Sequence, residues 1–144
     1  MKLKSKNAEL MKIGSLIYLC EGTRSKRQNR GDPEQIELVS SDPFIIKTFI
    51  NFLRKKIHIE ESKLRGRLEI HSDTNEKQAK NYWSKITNIP ISQFQKPIIS
   101  KSKSVRRSLN KLKYGTFVLR YASKPKYELL MSLIENMKKE LDKQ

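Results

Sequence analysis

Residues Gly14 to Gly22 read GSLIYLCEG, and the reading of this stretch decides the fold. It closes a helix expected from about Asn7 to Cys20. Within it Ala8, Leu10, Met11, Ile13, Leu16, Ile17, Tyr18, Leu19 and Cys20 put apolar groups nearly all round the C-terminal half. A helix patterned this way is buried on more than one side. Gly14 and Ser15 are small residues at which another backbone can approach closely. Gly22 suits the position just past a helix end. Glu21 is the odd residue, because a carboxylate there meets the negative end of the helix macrodipole. A hard cation would explain it, since Mg²⁺ binds through one or two carboxylates plus water and substrate phosphate. The plainer alternative is that Glu21 is simply the first exposed residue past a buried helix. Taken alone, the motif favours that alternative.

Outward from this helix, Gln35 to Val39 (QIELV) alternates polar and apolar residues, as a strand with one wet face does. Thr23 to Arg30 is its candidate hairpin partner, with turn chemistry at Gly31-Asp32-Pro33. Asp42 is a good N-cap and Pro43 suits the first turn of a second helix. Ile45, Phe49, Ile50 and Leu53 carry that helix. Leu64 to His71 (LRGRLEIH) alternates again, with Leu64, Gly66, Leu68 and Ile70 opposed to Arg65, Arg67, Glu69 and His71. Asp73-x-x-Glu76 resembles a capping box without its Ser or Thr, and opens a third helix with Ala79, Tyr82, Trp83 and Ile86 on one face. Trp83 reads as core. Phe94 to Ile99 and Gly115 to Ala122 are further strand candidates. A last helix begins at Pro125, with Leu129, Leu130, Leu133, Ile134, Met137 and Leu141 as its stripe. The expected order is α-β-β-α-β-α-β-β-α. Helices and strands mix without regular βαβ alternation, so the class is α+β.

The chain has 144 residues, which fits one domain spanning 1–144 with a core from about 7 to 141. Lys and Arg total 31 against 15 Asp and Glu, a formal charge of +16. Such a charge opposes folding by self-repulsion, and a polyanionic partner is the natural explanation. Nucleic acid leads, an anionic membrane surface comes second, and a merely solvated basic surface third. From Lys77 to Tyr127 there is no Asp or Glu, and 13 basic residues fall in that stretch. Arg24, Lys26, Arg27 and Arg30 form a second basic cluster. Strand faces carrying Arg, Gln and Glu suit base edges in a major groove. Other classes fall away. No run approaches the ~20 apolar residues of a bilayer span. The first ten residues lack a signal-peptide pattern. Cys20 is the only cysteine, so an internal disulfide and a zinc ribbon are excluded, and a reducing, cytoplasmic location is expected. There is no glycine-rich phosphate loop, and neither histidine lies in a recognisable nucleophile motif. Cys20 reads as a small packing residue.

GSLIYLCEG resembles the LAGLIDADG motif of homing endonucleases, especially proteins with a single motif ending in an acid and a glycine. Ile36 to Leu53 (IELVSSDPFIIKTFINFL) resembles that family's second strand running into its second helix. Ala79 to Pro97 (AKNYWSKITNIPISQFQKP) resembles a Trp-containing helix and loop of one bacterial and archaeal branch, and Gly115 to Tyr121 a late strand. The resemblance covers about Ile13 to Met137. Glu21 replaces the more frequent Asp, and Cys20 stands where the motif has a small Ala or Gly.

The resemblance implies an antiparallel concave sheet backed by helices, saddling the DNA major groove. It implies motif helices of two copies packed together, with Gly14, Ser15, Ile17 and Tyr18 at that interface. A homodimer on near-palindromic double-stranded DNA follows, with Mg²⁺ or Mn²⁺ as cofactor and hydrolysis of both strands. By position the metal ligands are Glu21 and the carbonyl of Cys20. Lys124, with Lys126 behind it, is the candidate basic residue, and Ser41 the candidate water-holding residue. The DNA face is expected to use Arg24, Lys26, Arg27, Gln28, Arg30, Arg65, Arg67, His71 and Arg120. The loop residues Lys101, Lys103, Arg106 and Arg107 are expected to grip backbone. The competing expectation is a relative without cleavage: an intron RNA maturase or a DNA-binding regulator. A basic structural RNA-binding protein is the third.

Overall fold

The structure is a computed structural model that describes residues 2–23, 34–101 and 113–143. In chain order the elements are α1 (Lys2–Glu21), β1 (Gln35–Ser40), α2 (Pro43–Phe52), β2 (Leu64–His71), α3 (Glu76–Thr87), β3 (Ile98–Ser100), β4 (Thr116–Ala122) and α4 (Lys124–Asp142). This is an α+β arrangement. The sheet order is β1-β4-β2-β3. The two β4 pairings are antiparallel, but β3 runs parallel to β2. The described sheet is therefore mixed, which corrects the expected all-antiparallel sheet. A parallel neighbour needs a long crossover, and α3 with its following turn supplies one.

Local chemistry explains where the elements begin. Asp42 accepts a hydrogen bond from Phe44 N at 2.9 Å, and Pro43 fills the first helical position where a missing N–H costs nothing. A wider turn over Leu53–Ile57 extends α2, and His58 closes it in the left-handed region. Lys126 Nζ donates to the Ile57 carbonyl at 2.9 Å, satisfying one of the oxygens left open there. The cap of α3 is Asn75, whose side chain accepts from Gln78 N at 3.0 Å. Asp73 is instead turned to His71. The Asp73-x-x-Glu76 reading was thus two residues early. Ser123 caps α4, which starts one residue before the expected proline. The Phe94–Ile99 strand shrinks to Ile98–Ser100, with Phe94 making only an isolated bridge to Gly66.

Burial alternates cleanly along β2, whereas in β4 Val118, on the face away from the core, is buried as well. Ile36, Leu38, Leu64, Leu68, Ile70, Phe117, Leu119 and Tyr121 fill one core with Phe49, Phe52, Trp83, Leu130 and Ile134 from the helices. Trp83 stacks on Phe117 with ring centroids 5.1 Å apart, and its indole N–H donates to the Tyr114 carbonyl at 2.9 Å. This confirms Trp83 as core. Leu129 and Leu141, expected in the α4 stripe, are exposed; Leu130, Ile134 and Met137 carry the burial.

α1 packs against α2 and α4. Gly14 is required at the first contact. A Cβ there would lie 2.1 Å from Phe52 Cγ, closer than a side-chain adjustment of a few tenths of an ångström relieves. No helix among the described residues is long and apolar enough to cross a membrane.

Candidate acidic site and nucleic-acid interface

The end of α1 is fastened by Tyr18. Its hydroxyl donates to the Thr23 carbonyl at 2.8 Å and accepts from Glu37 N at 3.3 Å. Its ring stacks on Phe49, 5.6 Å away. Burial pushes its phenol up to about 12, because the charged form would lose its water. Gly22 continues the latch: its N–H reaches the Tyr18 carbonyl at 2.9 Å and it bridges Leu38 of β1. A Cβ on Gly22 would lie 2.5 Å from that carbonyl oxygen. Glycine is needed here for close approach, since Gly22 has no positive φ. Thr23 N then donates to Glu37 O at 3.0 Å, and the chain runs alongside β1.

Glu21 is therefore the last residue of α1, exposed, with its backbone held from both sides. Cys20 is exposed too. The Cys20 carbonyl belongs to the last turn, where helical carbonyls lack intrahelical partners. Carboxylate and carbonyl oxygens together fit a hard cation. Among the described residues no three His, Cys, Asp or Glu side chains gather as a metal cluster.

The residues expected at an interface between copies are placed differently. Gly14, Ser15 and Tyr18 are buried in the chain's own core, and Ser15 Oγ donates to Met11 O at 2.8 Å. They have no surface left for a partner, so that assignment is corrected; Ile17 is half-buried. The side of α1 that stays open carries Ile13, 46% exposed, and Leu16, 50% exposed, followed by Cys20. These are i, i+3 and i+7 of one helical stripe. Leu129 on the neighbouring α4 is exposed as well.

The other catalytic candidates are not gathered with one another. Ser41 is exposed just beyond the C-terminal end of β1. Lys124 is exposed at the first position of α4, beyond β4, whose last residue Ala122 pairs with Gln35 at the start of β1. Ser41 and Lys124 thus lie beyond opposite ends of the β1–β4 pair, which at about 3.3 Å per residue separates them by roughly 20 Å or more along the strand. The bridge from Gly22 to Leu38 puts Glu21 nearer the Ser41 end. Lys126 is occupied by the Ile57 carbonyl.

The sheet face away from the core carries the charged side chains. Glu37 faces Arg120, which faces Arg65; Val39 faces Val118, which faces Arg67. Arg65 and Arg67 do share one side of β2, as alternation predicts. Arg65 turns its Nη1 back to the Ser62 and Leu64 carbonyls, at 2.7 and 3.0 Å. Arg67 Nη2 pairs with Glu69 at 3.1 Å, and its Nε is buried without a partner among the described residues. His71 Nδ1 lies 2.6 Å from Asp73 Oδ1. Lys101 is exposed just after β3. Arg24, Lys26, Arg27, Gln28, Arg30, Lys103, Arg106 and Arg107 lie outside the described residues.

Two members of this face were not picked out from the sequence. Glu37 accepts from Arg120 Nε at 2.7 Å, and Gln95 Oε1 accepts from Arg120 Nη1 at 3.3 Å. Alternation in QIELV put Glu37 on the polar side, and an acid amid arginines was the available signal. Gln95 carried none, because a backbone bond to Gly66 O, 2.7 Å long, brings it there. No family model, curated protein or solved structure matches this chain.

Proposed function

We propose that this chain is a homodimeric, site-specific double-strand DNA endonuclease of the homing-endonuclease type, acting with Mg²⁺ or Mn²⁺ on near-palindromic sites. One observation carries the reading. α1 ends in an exposed Cys20–Glu21 beside an open apolar stripe of Ile13 and Leu16. Pairing two copies of α1 along that stripe covers the apolar groups and brings two Glu21 carboxylates to a two-fold axis. The sequence resemblance of GSLIYLCEG supports the same arrangement, with the stripe in place of the buried Gly14, Ser15 and Tyr18. The net charge of +16 and the arginines of the sheet face support a polyphosphate partner.

Glu21 and the Cys20 carbonyl are the residues that would hold the cation. When bound, the cation activates water and stabilises the departing oxygen of the phosphodiester. The chain's own part is positional. Tyr18 and Gly22 fix the backbone on both sides of Glu21, so the point from which the carboxylate projects is set before DNA arrives. The basic face orients the duplex and attracts it at long range.

The test is cleavage of a randomised duplex library in Mg²⁺ and in EDTA, by wild type and Glu21→Gln. Metal-dependent cuts at one site, lost in the variant, are expected. Full cleavage by Glu21→Gln would refute the mechanism. Salt-sensitive binding without cuts would select the second reading, a non-cleaving binder of DNA or intron RNA. That reading draws on the separation of Ser41 and Lys124, which lie at opposite ends of the β1–β4 pair.

A further inference from the structure

The geometry points to Arg120 as a guanine-reading side chain, with Glu37 and Gln95 as the residues that hold its guanidinium in reading position. The inference rests on the proposal that the sheet face binds duplex DNA. It names the base class that one position of that face selects.

Arg120 lies on β4, an interior strand flanked by β1 and β2. Its Nε donates to Glu37 Oε2 at 2.7 Å and its Nη1 to Gln95 Oε1 at 3.3 Å. Both holders are themselves held. Glu37 also accepts from Thr23 Oγ1 and Gln35 Nε2, each at 3.4 Å. Gln95 is pinned through its backbone to Gly66 of β2. The Arg120 side chain is 26% exposed, and the Glu37 side chain only 16%. Glu37 is thus the inner member and Arg120 the outer. Nη2 of Arg120 has no protein partner among the described residues.

Three readings of this pair compete. An arginine that grips phosphate is best left with its whole charge, but here a carboxylate compensates it. A cross-strand ion pair that only stabilises the sheet has no need of a second holder from a separate segment. A base reader needs direction more than charge. Guanine presents two acceptors, O6 and N7, side by side in the major groove, and the fork of a guanidinium matches them. Fixing the fork beforehand removes the ordering cost that a free arginine meets on binding. The neighbouring arginines lack this preparation. Arg65 is folded back on its own strand's start, and Arg67 is paired with Glu69 with its Nε enclosed.

The experiment selects duplexes from a randomised library in EDTA at one fixed salt concentration. It compares wild type, Arg120→Lys and Glu37→Gln, with a salt titration of each on the selected duplex. Thermal melts confirm that all three are folded. Wild type is expected to prefer guanine at one position of each half-site. Arg120→Lys keeps the charge and loses the fork, so that preference should fall on the order of tenfold to a hundredfold while other positions are unchanged. Glu37→Gln should relax the same position and, by uncovering a charge, steepen the salt slope by roughly one. A phosphate-gripping arginine would weaken all sequences alike, and a structural pair would move the melting temperature and no base preference. Either result overturns the inference, as does a wild type that binds duplex without base preference. Wild type that binds no duplex at all overturns the DNA reading and this inference together. Should Arg120→Lys fail to fold, Glu37→Gln reads the same position independently.

Discussion

Replacing Tyr18 by Phe tests the latch at the end of α1 and does so with a pH signature of its own. The ring stays on Phe49, so packing is retained and only the hydroxyl is lost. Thr23 O loses a donor and Glu37 N loses an acceptor. Leaving such groups unmade costs ~1–3 kcal/mol each where water cannot reach, and Thr23 is exposed enough for water to replace part of it. A loss of about 2 kcal/mol below pH 9 is expected. Above that the wild type changes. Its folded phenol sits at about 12 because of burial, against 10.0 for an ordinary one. At pH 11 the unfolded phenol has lost its proton and the folded one has kept it. Unfolding therefore releases a proton, and rising pH favours it. The stabilisation is whole below pH 10 and is lost as pH climbs toward 12. At 1.36 kcal/mol per pKa unit, a shift of two amounts to about 2–3 kcal/mol. For a chain of this size that is on the order of 8–10 °C in melting temperature. The assay is a series of thermal melts of both proteins from pH 8 to 12. Every other group is common to the two proteins, so the difference isolates Tyr18. The two curves should converge near pH 12. A constant gap across that range would show that the Tyr18 hydroxyl is not the buried, bonded group the structure describes.

Three further outcomes follow from other contacts. Gly14→Ala drives a methyl into the Phe52 ring and should cost about 1–3 kcal/mol or more in chemical denaturation; wild-type stability would mean α1 and α2 are not packed this closely. Leu16→Glu puts a charge on the open stripe of α1, so sedimentation should show a monomer with an unchanged circular dichroism spectrum, where wild type is expected to sediment as a dimer. A Leu16→Glu protein that still dimerises would remove the stripe from the interface. Asn75→Ala should destabilise by ~1 kcal/mol while Asp73→Ala leaves the start of α3 intact, and the reverse order in urea denaturation would put the cap at Asp73.

Much of the fold was legible because two local rules govern it. Alternation alone placed Leu64, Gly66, Leu68 and Ile70 inward and Arg65, Arg67, Glu69 and His71 outward, since successive strand side chains point to opposite faces. Asp42-Pro43 marked the start of α2 because a cap and a fixed φ act within three residues. Boundaries set by competition were less legible. Asn75 and Asp73 are both capable caps, and the choice turned on Asp73 having His71 beside it.

What the sequence by itself determined is the class, the helix and strand faces, the basic charge and the singular position of Glu21. These depend on residue type and spacing along the chain. What only tertiary structure decided is which apolar residues of α1 face inward, how β3 runs, and which charges are already paired. The C-terminal half of α1 is apolar on nearly every side, so its pattern could not say that Gly14 meets Phe52 and Tyr18 meets Phe49 and β1 while Ile13, Leu16 and Cys20 stay open. The parallel run of β3 comes from the crossover through α3, a long-range connection that strand composition does not encode. The Glu37–Arg120 pair joins residues 83 apart in the chain, brought together by strand register, and no local pattern records such a meeting.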